Sequence, residues 1–243
     1  HPNFKAGILM QHPSPYGWIS QYFLGFFFAY GVYLPFWALW FEDQGVSPSD
    51  IGILIGIGFA TRCVANILIT PRIHKVEHLL PALRWLSLAA LIFIGFHFFA
   101  GGDFWLMALA TVLFNLCCGP IVPLSDAMAN YYSRLKLLDY GRTRLWGSVA
   151  FIGGSTVVGF LVAEFGTDMI LYTALVGVLF SLVVGMRNPN VMPVTKSEEV
   201  APRPKLSQLL RESSVVKFLT LVALIQGSHA AYYSSSAIYW KEA

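Results

Sequence analysis

Two residues of opposite charge, Asp126 and Arg144, lie inside hydrophobic segments of this 243-residue chain. A charged side chain in a membrane-spanning helix costs about 2.5–3.5 kcal/mol on insertion scales and usually faces a partner or a cavity. A carboxylate and a guanidinium about 4 Å apart attract by about 4 kcal/mol at an effective dielectric of 20, which offsets much of that cost. A guanidinium can also bind a substrate carboxylate at two points. We therefore favour a solute-binding role for this pair over a purely structural link between two helices.

Two further arginines have different expected roles. Arg62 lies in a hydrophobic segment ten residues before Arg72. It could extend its charge toward the aqueous phase, pair with Asp126 or contact an anionic substrate, and we favour the first two alternatives. Arg142 follows Asp139 by three residues, and Asp139 is suited to cap a helix that starts there. We interpret Arg142 as an anchor at the membrane surface.

Hydroxyl and imidazole groups at helical spacing complete the candidate set. Tyr30 and Tyr33 belong to an aromatic stripe, and hydroxyls in the middle of a membrane need hydrogen-bond partners, which favours a position beside a cavity. Gln226, His229 and Tyr233 share one helix face. His229 could titrate near neutral pH, and a structural histidine is an equally good interpretation. The predicted substrate-binding residues are Asp126, Arg144, Tyr30, Tyr33, His229 and Tyr233, with Arg62 as an alternative intramembrane charge partner.

Four other residues predict local structure rather than binding. His97 and Asn115 are single polar residues in hydrophobic segments, and hydrogen bonds to neighbouring helices are the favoured interpretation. Pro120 and Pro123 predict an interruption of the helix just before Asp126, because proline removes a backbone donor. Irregular backbone at this depth is typical of cavity linings in transporters.

The elements that hold these residues must be membrane-spanning helices. The chain is 56% hydrophobic and 12% charged, whereas soluble domains carry about 25% charged residues. Several hydrophobic runs reach the roughly 20 residues that cross a bilayer, and they lack the alternation of barrel strands. The predicted helices cover 18–40, 51–70, 81–100, 104–130, 144–163, 168–187 and 215–238.

Positive charge is concentrated on alternate loops. Thirteen of the sixteen Lys and Arg residues occupy or flank three segments, 71–78, 133–142 and 187–214. The positive-inside rule places these segments in the cytoplasm. The formal charge of +3 therefore reflects orientation in the membrane and does not indicate nucleic-acid binding. The remaining loops contain no Lys or Arg: 41–50, 101–103 and 164–168.

The chain divides into four predicted regions. They are a cytoplasmic N-terminal tail (1–17), a six-helix transmembrane bundle (18–187), a cytoplasmic linker rich in Pro, Ser and charge (188–214), and a seventh transmembrane helix (215–243). No metal-ligand spacing, phosphate-binding loop or catalytic motif is evident in the sequence. We therefore expect no cofactor, no metal and no enzymatic activity.

Five stretches are similar to those of a known family: GVYLPFWALW (31–40), LITPR (68–72), FNLCCGPIVPLSDAMAN (114–130), DYGRTRLWGSVAF (139–151) and QGSHAAYYSSSAIYW (226–240). Through them the chain resembles the major facilitator superfamily along its whole length, and within it the phenylpropionate:proton symporters. The region of Asp126 and Arg144 is more distantly similar to lactose permease, where an acid and an arginine at these positions hold the sugar.

The resemblance implies an all-α membrane protein, the N-terminal six-helix half of a major facilitator transporter plus helix 7, in a bacterial inner membrane with its N-terminus in the cytoplasm. It implies proton-coupled uptake of 3-phenylpropionate or a similar aromatic carboxylate, with a sugar or oligosaccharide:proton symporter as the alternative. Such transporters bind substrate between two six-helix halves. We therefore expect these residues to insert into a lipid bilayer but to need the missing C-terminal half for transport.

Overall fold

The computed structural model of the chain describes residues 12–194, 208 and 210–242, and in the last helix it describes side chains at 213–225, 227 and 228. This part of the chain is helical and contains no strand. Two 3-10 turns, Thr70–Arg72 and Val76–His78, connect the second helix to the third. The α-helices are α1 (Pro15–Asp43), α2 (Pro48–Leu68), α3 (Leu79–Ala100), α4 (Phe104–Arg134), α5 (Tyr140–Phe165), α6 (Met169–Met186) and α7 (Ser213–Glu242).

The first six helices are long and hydrophobic enough to cross a membrane, which confirms the predicted multi-pass fold. Four of them begin where a polar side chain caps the first turn, up to four residues before the hydrophobic run itself. The capping residues, which accept hydrogen bonds from first-turn N–H groups, are Ser14, Ser47, Asp103 and Asp139. The Asp139 cap agrees with the interpretation of the sequence.

Helix α1 forms the centre of the bundle. It packs mainly against α5 and α6, while α4 packs against α2 and α3, and α3 also contacts α6. Trp18, Tyr22, Phe23 and Val32 of α1 are fully buried. By contrast, α2 and α5 expose many hydrophobic side chains, Ile67 and Ile152 among them. Those faces are suited to lipid or to another hydrophobic protein surface.

Glycines allow α1 and α5 to approach each other at backbone distance. A side chain at Gly31 would collide with the backbone of Phe151, and one at Gly154 would collide with the backbone of Phe28. The hydroxyl of Ser155 donates a hydrogen bond of 2.7 Å across this contact to the carbonyl of Gly31. The close packing fixes the position of α5, and of Arg144 on it, relative to α1.

Helix α4 is continuous through Pro120 and Pro123, so the predicted interruption before Asp126 is wrong. Each proline removes only one backbone donor, and the turns on either side of it keep the helical path. Nearby, the Ser125 hydroxyl donates a 2.9 Å hydrogen bond to the carbonyl of Val122. The prolines therefore shape the surface of α4 without ending the helix.

The residues that follow α6 lie along the end of the bundle where α4 terminates. The hydroxyls of Tyr131 and Tyr132 donate hydrogen bonds to the carbonyls of Val194 and Val191. Arg84 of α3 donates to the carbonyl of Gly185 at 2.6 Å. The first part of the predicted linker is thus attached to the six-helix bundle.

The part of α7 whose side chains are described is covered less than the other helices. It lies against α1, but its described side chains are exposed, except for Val215, which is partly buried. A hydrophobic helix with so much exposed surface is suited to contact lipid or further protein.

Candidate functional site

The predicted pair on α4 and α5 meets in the structure. Arg144 Nε lies 3.6 Å from Asp126 Oδ1, and both side chains keep roughly a third or a quarter of their surface exposed. The hydroxyl of Tyr140 donates a 3.2 Å hydrogen bond to the same carboxylate oxygen. The guanidinium carbon of Arg144 also lies 4.0 Å from the ring centroid of Phe27, within the range of a cation–π contact. Arg144 is therefore held by an anion and by an aromatic face.

The tip of the α4–α5 hairpin explains why the two charges meet. Helix α4 ends at Arg134 and α5 begins at Tyr140, and Asp126 and Arg144 are each nine residues from position 135. Equal distance from the tip of an antiparallel hairpin places two residues at similar depth, and here the two side chains also face each other.

Arg62 on α2 takes none of the roles favoured from the sequence. It forms no ion pair with Asp126, and its guanidinium points to the bundle rather than to the aqueous end of α2. Its Nη1 donates a 2.6 Å hydrogen bond to the hydroxyl of Tyr30, and its Nη2 donates a 2.8 Å hydrogen bond to Asn115 Oδ1. Its guanidinium carbon lies 5.0 Å from the ring centroid of Tyr30 and 5.5 Å from that of Tyr33.

Asn115 connects three helices at this point. Its Nδ2 donates hydrogen bonds to the hydroxyl of Tyr33 on α1 and to the carbonyl of Thr111 on α4, while its Oδ1 accepts from Arg62 on α2. The interhelical hydrogen bonds expected for Asn115 are confirmed. The hydroxyls of Tyr30 and Tyr33 also find the partners that the sequence argument required.

An open cleft of about 450 Å³ lies next to both groups of polar residues. This volume falls within the roughly 300–1,000 Å³ of small-molecule sites. The cleft extends from the middle of the bundle to the turn after α2, so it reaches the end of the bundle that carries Arg72. It is lined by Tyr30, Arg62, Asn66, Thr70, Cys118, Gly119, Val122, Pro123 and Asp126.

Other predicted residues lie elsewhere. His97 is buried, and its Nδ1 lies 2.8 Å from the Phe93 carbonyl of its own helix, so the interhelical hydrogen bond expected for it is wrong. Its ring packs instead against that of Trp37, with centroids 5.0 Å apart. The side chains of His229 and Tyr233 lie outside the described residues, and their assignment remains a prediction.

Two contacts of the site were not predicted from the sequence. Tyr140 immediately follows the capping residue Asp139, and its place in the first turn of α5 directs its hydroxyl to Asp126; a polar aromatic residue at that point of the hairpin was an available signal. Phe27 was not predicted because it belongs to α1, and the sequence does not specify which face of α1 meets α5. No group of residues that could hold a metal is found in the described part of the chain.

Comparison with protein families matches residues 16–243 to the model of the MFS_1 like family, in which MFS denotes the major facilitator superfamily. The match includes every residue of the pair, the Arg62 contacts and the cleft. No solved structure matches the chain.

Two curated proteins are similar in sequence. The chain is 41% identical over 229 residues to the "Probable 3-phenylpropionic acid transporter" of Escherichia coli strain K12, covering 93% of this chain and 59% of that protein. It is 28% identical over 171 residues to the "Maltose permease" of Geobacillus stearothermophilus, covering 70% of this chain and 43% of that protein. The chain thus spans about half the length of these relatives.

Proposed function

Since the chain belongs to the MFS_1-like family of the major facilitator superfamily, we propose that it forms the substrate-binding N-terminal half of a transporter for 3-phenylpropionate or a similar aromatic carboxylate. The cleft beside Asp126, Tyr30 and Arg62 is the observation that carries this proposal, because it combines cationic, hydroxyl and aromatic groups at membrane depth. The substrate class is supported by the 41% identity to a relative named for that acid.

Asp126, Arg144, Tyr30 and Tyr33 are the substrate-site residues of this proposal, together with His229 and Tyr233 of α7. Asp126 and Tyr30 line the cleft. Arg144 does not line it but forms an ion pair with Asp126, and the hydroxyl of Tyr33 accepts a hydrogen bond from Asn115. Coupling of uptake to protons is part of the proposal, and no coupling residue is assigned within this chain.

A sugar:proton symporter is the second candidate. The 28% identity to a maltose permease favours it, and so does the Asp126–Arg144 pair, because a carboxylate and a guanidinium together offer the acceptors and donors that sugar hydroxyls require. The aromatic side chains around the cleft and the relative at 41% identity favour an aromatic carboxylate as the substrate.

We further propose that the protein lies in a bacterial inner membrane with the ends of α2 and α4 facing the cytoplasm, and that a second six-helix half is needed for transport. The exposed faces of α2, α5 and the described part of α7 support the last point, because their hydrophobic surface is available to contact further helices.

Uptake by cells that express the full-length gene tests the proposal. We expect labelled 3-phenylpropionate to accumulate, a protonophore to abolish that accumulation, and residues 1–243 expressed alone to give none. Accumulation of maltose or lactose without phenylpropionate would favour the second candidate. Uptake that equilibrates but never concentrates the acid would indicate a passive pathway, and concentrative uptake by residues 1–243 alone would remove the need for a second half.

A further inference from the structure

The cleft and the ion pair at its edge together carry an excess of one positive charge. Among the described residues, Asp126 is ion-paired with Arg144, whereas the hydrogen-bond partners of Arg62 are the neutral side chains of Tyr30 and Asn115. Arg62 and Arg144 therefore bring two positive charges, and Asp126 brings one negative charge. Neutral hydrogen bonds hold a buried guanidinium in place, but they do not neutralise it, so the Arg62 charge lacks a counter-ion within the described part of the chain.

Around Arg62, several hydrogen-bond donors have no partner among the described residues, whereas the neighbouring acceptors already accept hydrogen bonds. The hydroxyl oxygen of Tyr30 accepts from Arg62, and that of Tyr33 accepts from Asn115, so both hydroxyl hydrogens remain available to donate. The amide of Asn115 is occupied at its oxygen and at its nitrogen. Arg62 Nε is buried and has no partner among the described residues. A group that only accepts hydrogen bonds and carries negative charge complements this arrangement.

We propose that Arg62, together with the hydroxyl of Tyr30, binds the carboxylate of the transported substrate, and that Arg144 does not. This inference rests on the proposed function, in which the substrate is an organic anion. Arg144 was the candidate favoured from the sequence, but its charge is already matched by Asp126. Both Arg62 and Tyr30 line the cleft.

The surroundings of Arg62 hold it in this orientation. Its guanidinium lies within cation–π range of Tyr30, Tyr33 and Phe59. A side chain at Gly119 of α4 would lie 3.0 Å from Arg62 Cγ, so the glycine lets α4 approach the arginine closely. The rings around the cation also provide an apolar surface beside the carboxylate site, which suits an acid with a hydrophobic tail.

The charge of Arg62 also separates the two candidate substrates. A sugar hydroxyl both donates and accepts hydrogen bonds, so it needs acceptors as well as donors in its site. The excess of donors and the positive charge around Arg62 therefore add little to sugar binding. An organic acid gains both the charge and the donors.

The test compares an acid with its neutral amide on the purified full-length protein. We expect 3-phenylpropionate to bind more tightly than 3-phenylpropanamide. Arg62→Gln is expected to weaken binding of the acid roughly 10- to 100-fold, because a hydrogen bond to a charged group is lost, and to leave binding of the amide unchanged. Tyr30→Phe should weaken acid binding by a smaller factor. Preserved selectivity for the acid in Arg62→Gln, with loss of that selectivity in Arg144→Gln, would overturn the assignment.

Two further variants keep the test decisive. Arg72→Gln is the matched control, because Arg72 is exposed just beyond α2 and its side chain bonds to the carbonyl of Leu68; it should bind the acid as the unchanged protein does. If Arg62→Gln does not fold, Asn115→Asp decides, since it places a carboxylate 2.8 Å from Arg62 Nη2. We expect this internal counter-ion to displace the acid while the protein stays folded, and undiminished acid binding would contradict the proposal.

A wrong choice of substrate can be distinguished from a wrong assignment of the carboxylate site. If the full-length protein does not bind phenylpropionate, a panel of benzoate, cinnamate and butyrate follows. Binding of any of these acids that depends on Arg62 would retain the carboxylate site and change the substrate. Binding of maltose but of no acid in the panel would overturn both the carboxylate site and the proposed function.

Discussion

At the scale of single residues, the two arginines of the DYGRTRLWGS stretch have different environments. Arg144 is partly buried against Phe27 and pairs with Asp126, whereas the Arg142 side chain is exposed at the first turn of α5. Its backbone N–H donates a 2.8 Å hydrogen bond to the capping carboxylate of Asp139, an interaction that does not depend on the Arg142 side chain. One arginine is therefore part of the candidate site, and the other lies at its edge.

Exchange of each arginine for lysine tests this difference. We expect Arg144→Lys to raise the apparent KM for uptake by the full-length transporter about tenfold, because a lysine ammonium does not reproduce a planar group that stacks on Phe27 while it holds Asp126. Arg142→Lys should leave KM unchanged. Uptake kinetics, normalised to the amount of protein in the membrane, provide the measurement, and equal effects of the two substitutions would refute the distinction.

The pairing of Asp126 with Arg144 can be inferred from the sequence, because depth in a hairpin depends only on the number of residues from its tip. Asp126 and Arg144 are equally far from the loop in sequence, which indicates similar depth, and the structure shows that they also face each other. The partners of Arg62 could not be predicted in this way. Tyr30 and Asn115 belong to α1 and α4, and hydrophobic helices without a clear polar face do not indicate which sides meet in the bundle.

At the scale of helices, the contact between α1 and α5 depends on the absence of side chains. Gly31 and Gly154 each face backbone atoms of the other helix, and the Ser155 hydroxyl bonds across the same contact. Helix existence followed from hydrophobic length, whereas the starts predicted at 18, 51 and 144 fell three or four residues after the observed starts at Pro15, Pro48 and Tyr140. The continuity of α4 through its prolines did not follow, because loss of one donor proved compatible with neighbouring turns.

Gly154→Ala tests the close contact. We expect the added methyl group to destabilise the protein by about 1–3 kcal/mol, the typical cost of overpacking, and to lower the thermal unfolding midpoint of the purified full-length protein by several degrees. Gly153→Ala is the matched control, since a side chain at that neighbouring position meets open space. Equal midpoints for the two variants would show that α1 and α5 can separate without cost.

At the scale of the whole molecule, the cleft and the positive charges share one end of the bundle. The cleft extends to Thr70, and Arg72, Arg134 and Arg142 lie at the ends of α2 and α4 and at the start of α5. Under the orientation proposed from the loop charges, the cleft opens toward the cytoplasm. Six of the seven predicted crossings are confirmed as helices of membrane-spanning length, whereas the cleft was not predictable, because its shape depends on how six helices pack.

Reporter fusions test that orientation. Alkaline phosphatase, which is active only outside the cytoplasm, should be active when it is fused after Gly45 and inactive when it is fused after Lys136. The first site follows α1 and the second follows α4. Activity at the second position and none at the first would invert the proposed topology and open the cleft to the opposite side.

The central position of α1 has a consequence for the order of assembly during synthesis. Helix α1 leaves the ribosome before the other described helices, yet its main neighbours, α5 and α6, begin only at Tyr140 and Met169. At about 5–20 residues per second, the roughly 100 residues between α1 and α5 take on the order of 5–20 s to translate. For that interval α1 must remain in the membrane without the neighbours that bury it. The earliest of these helices to be made is thus among the last of them to complete its packing.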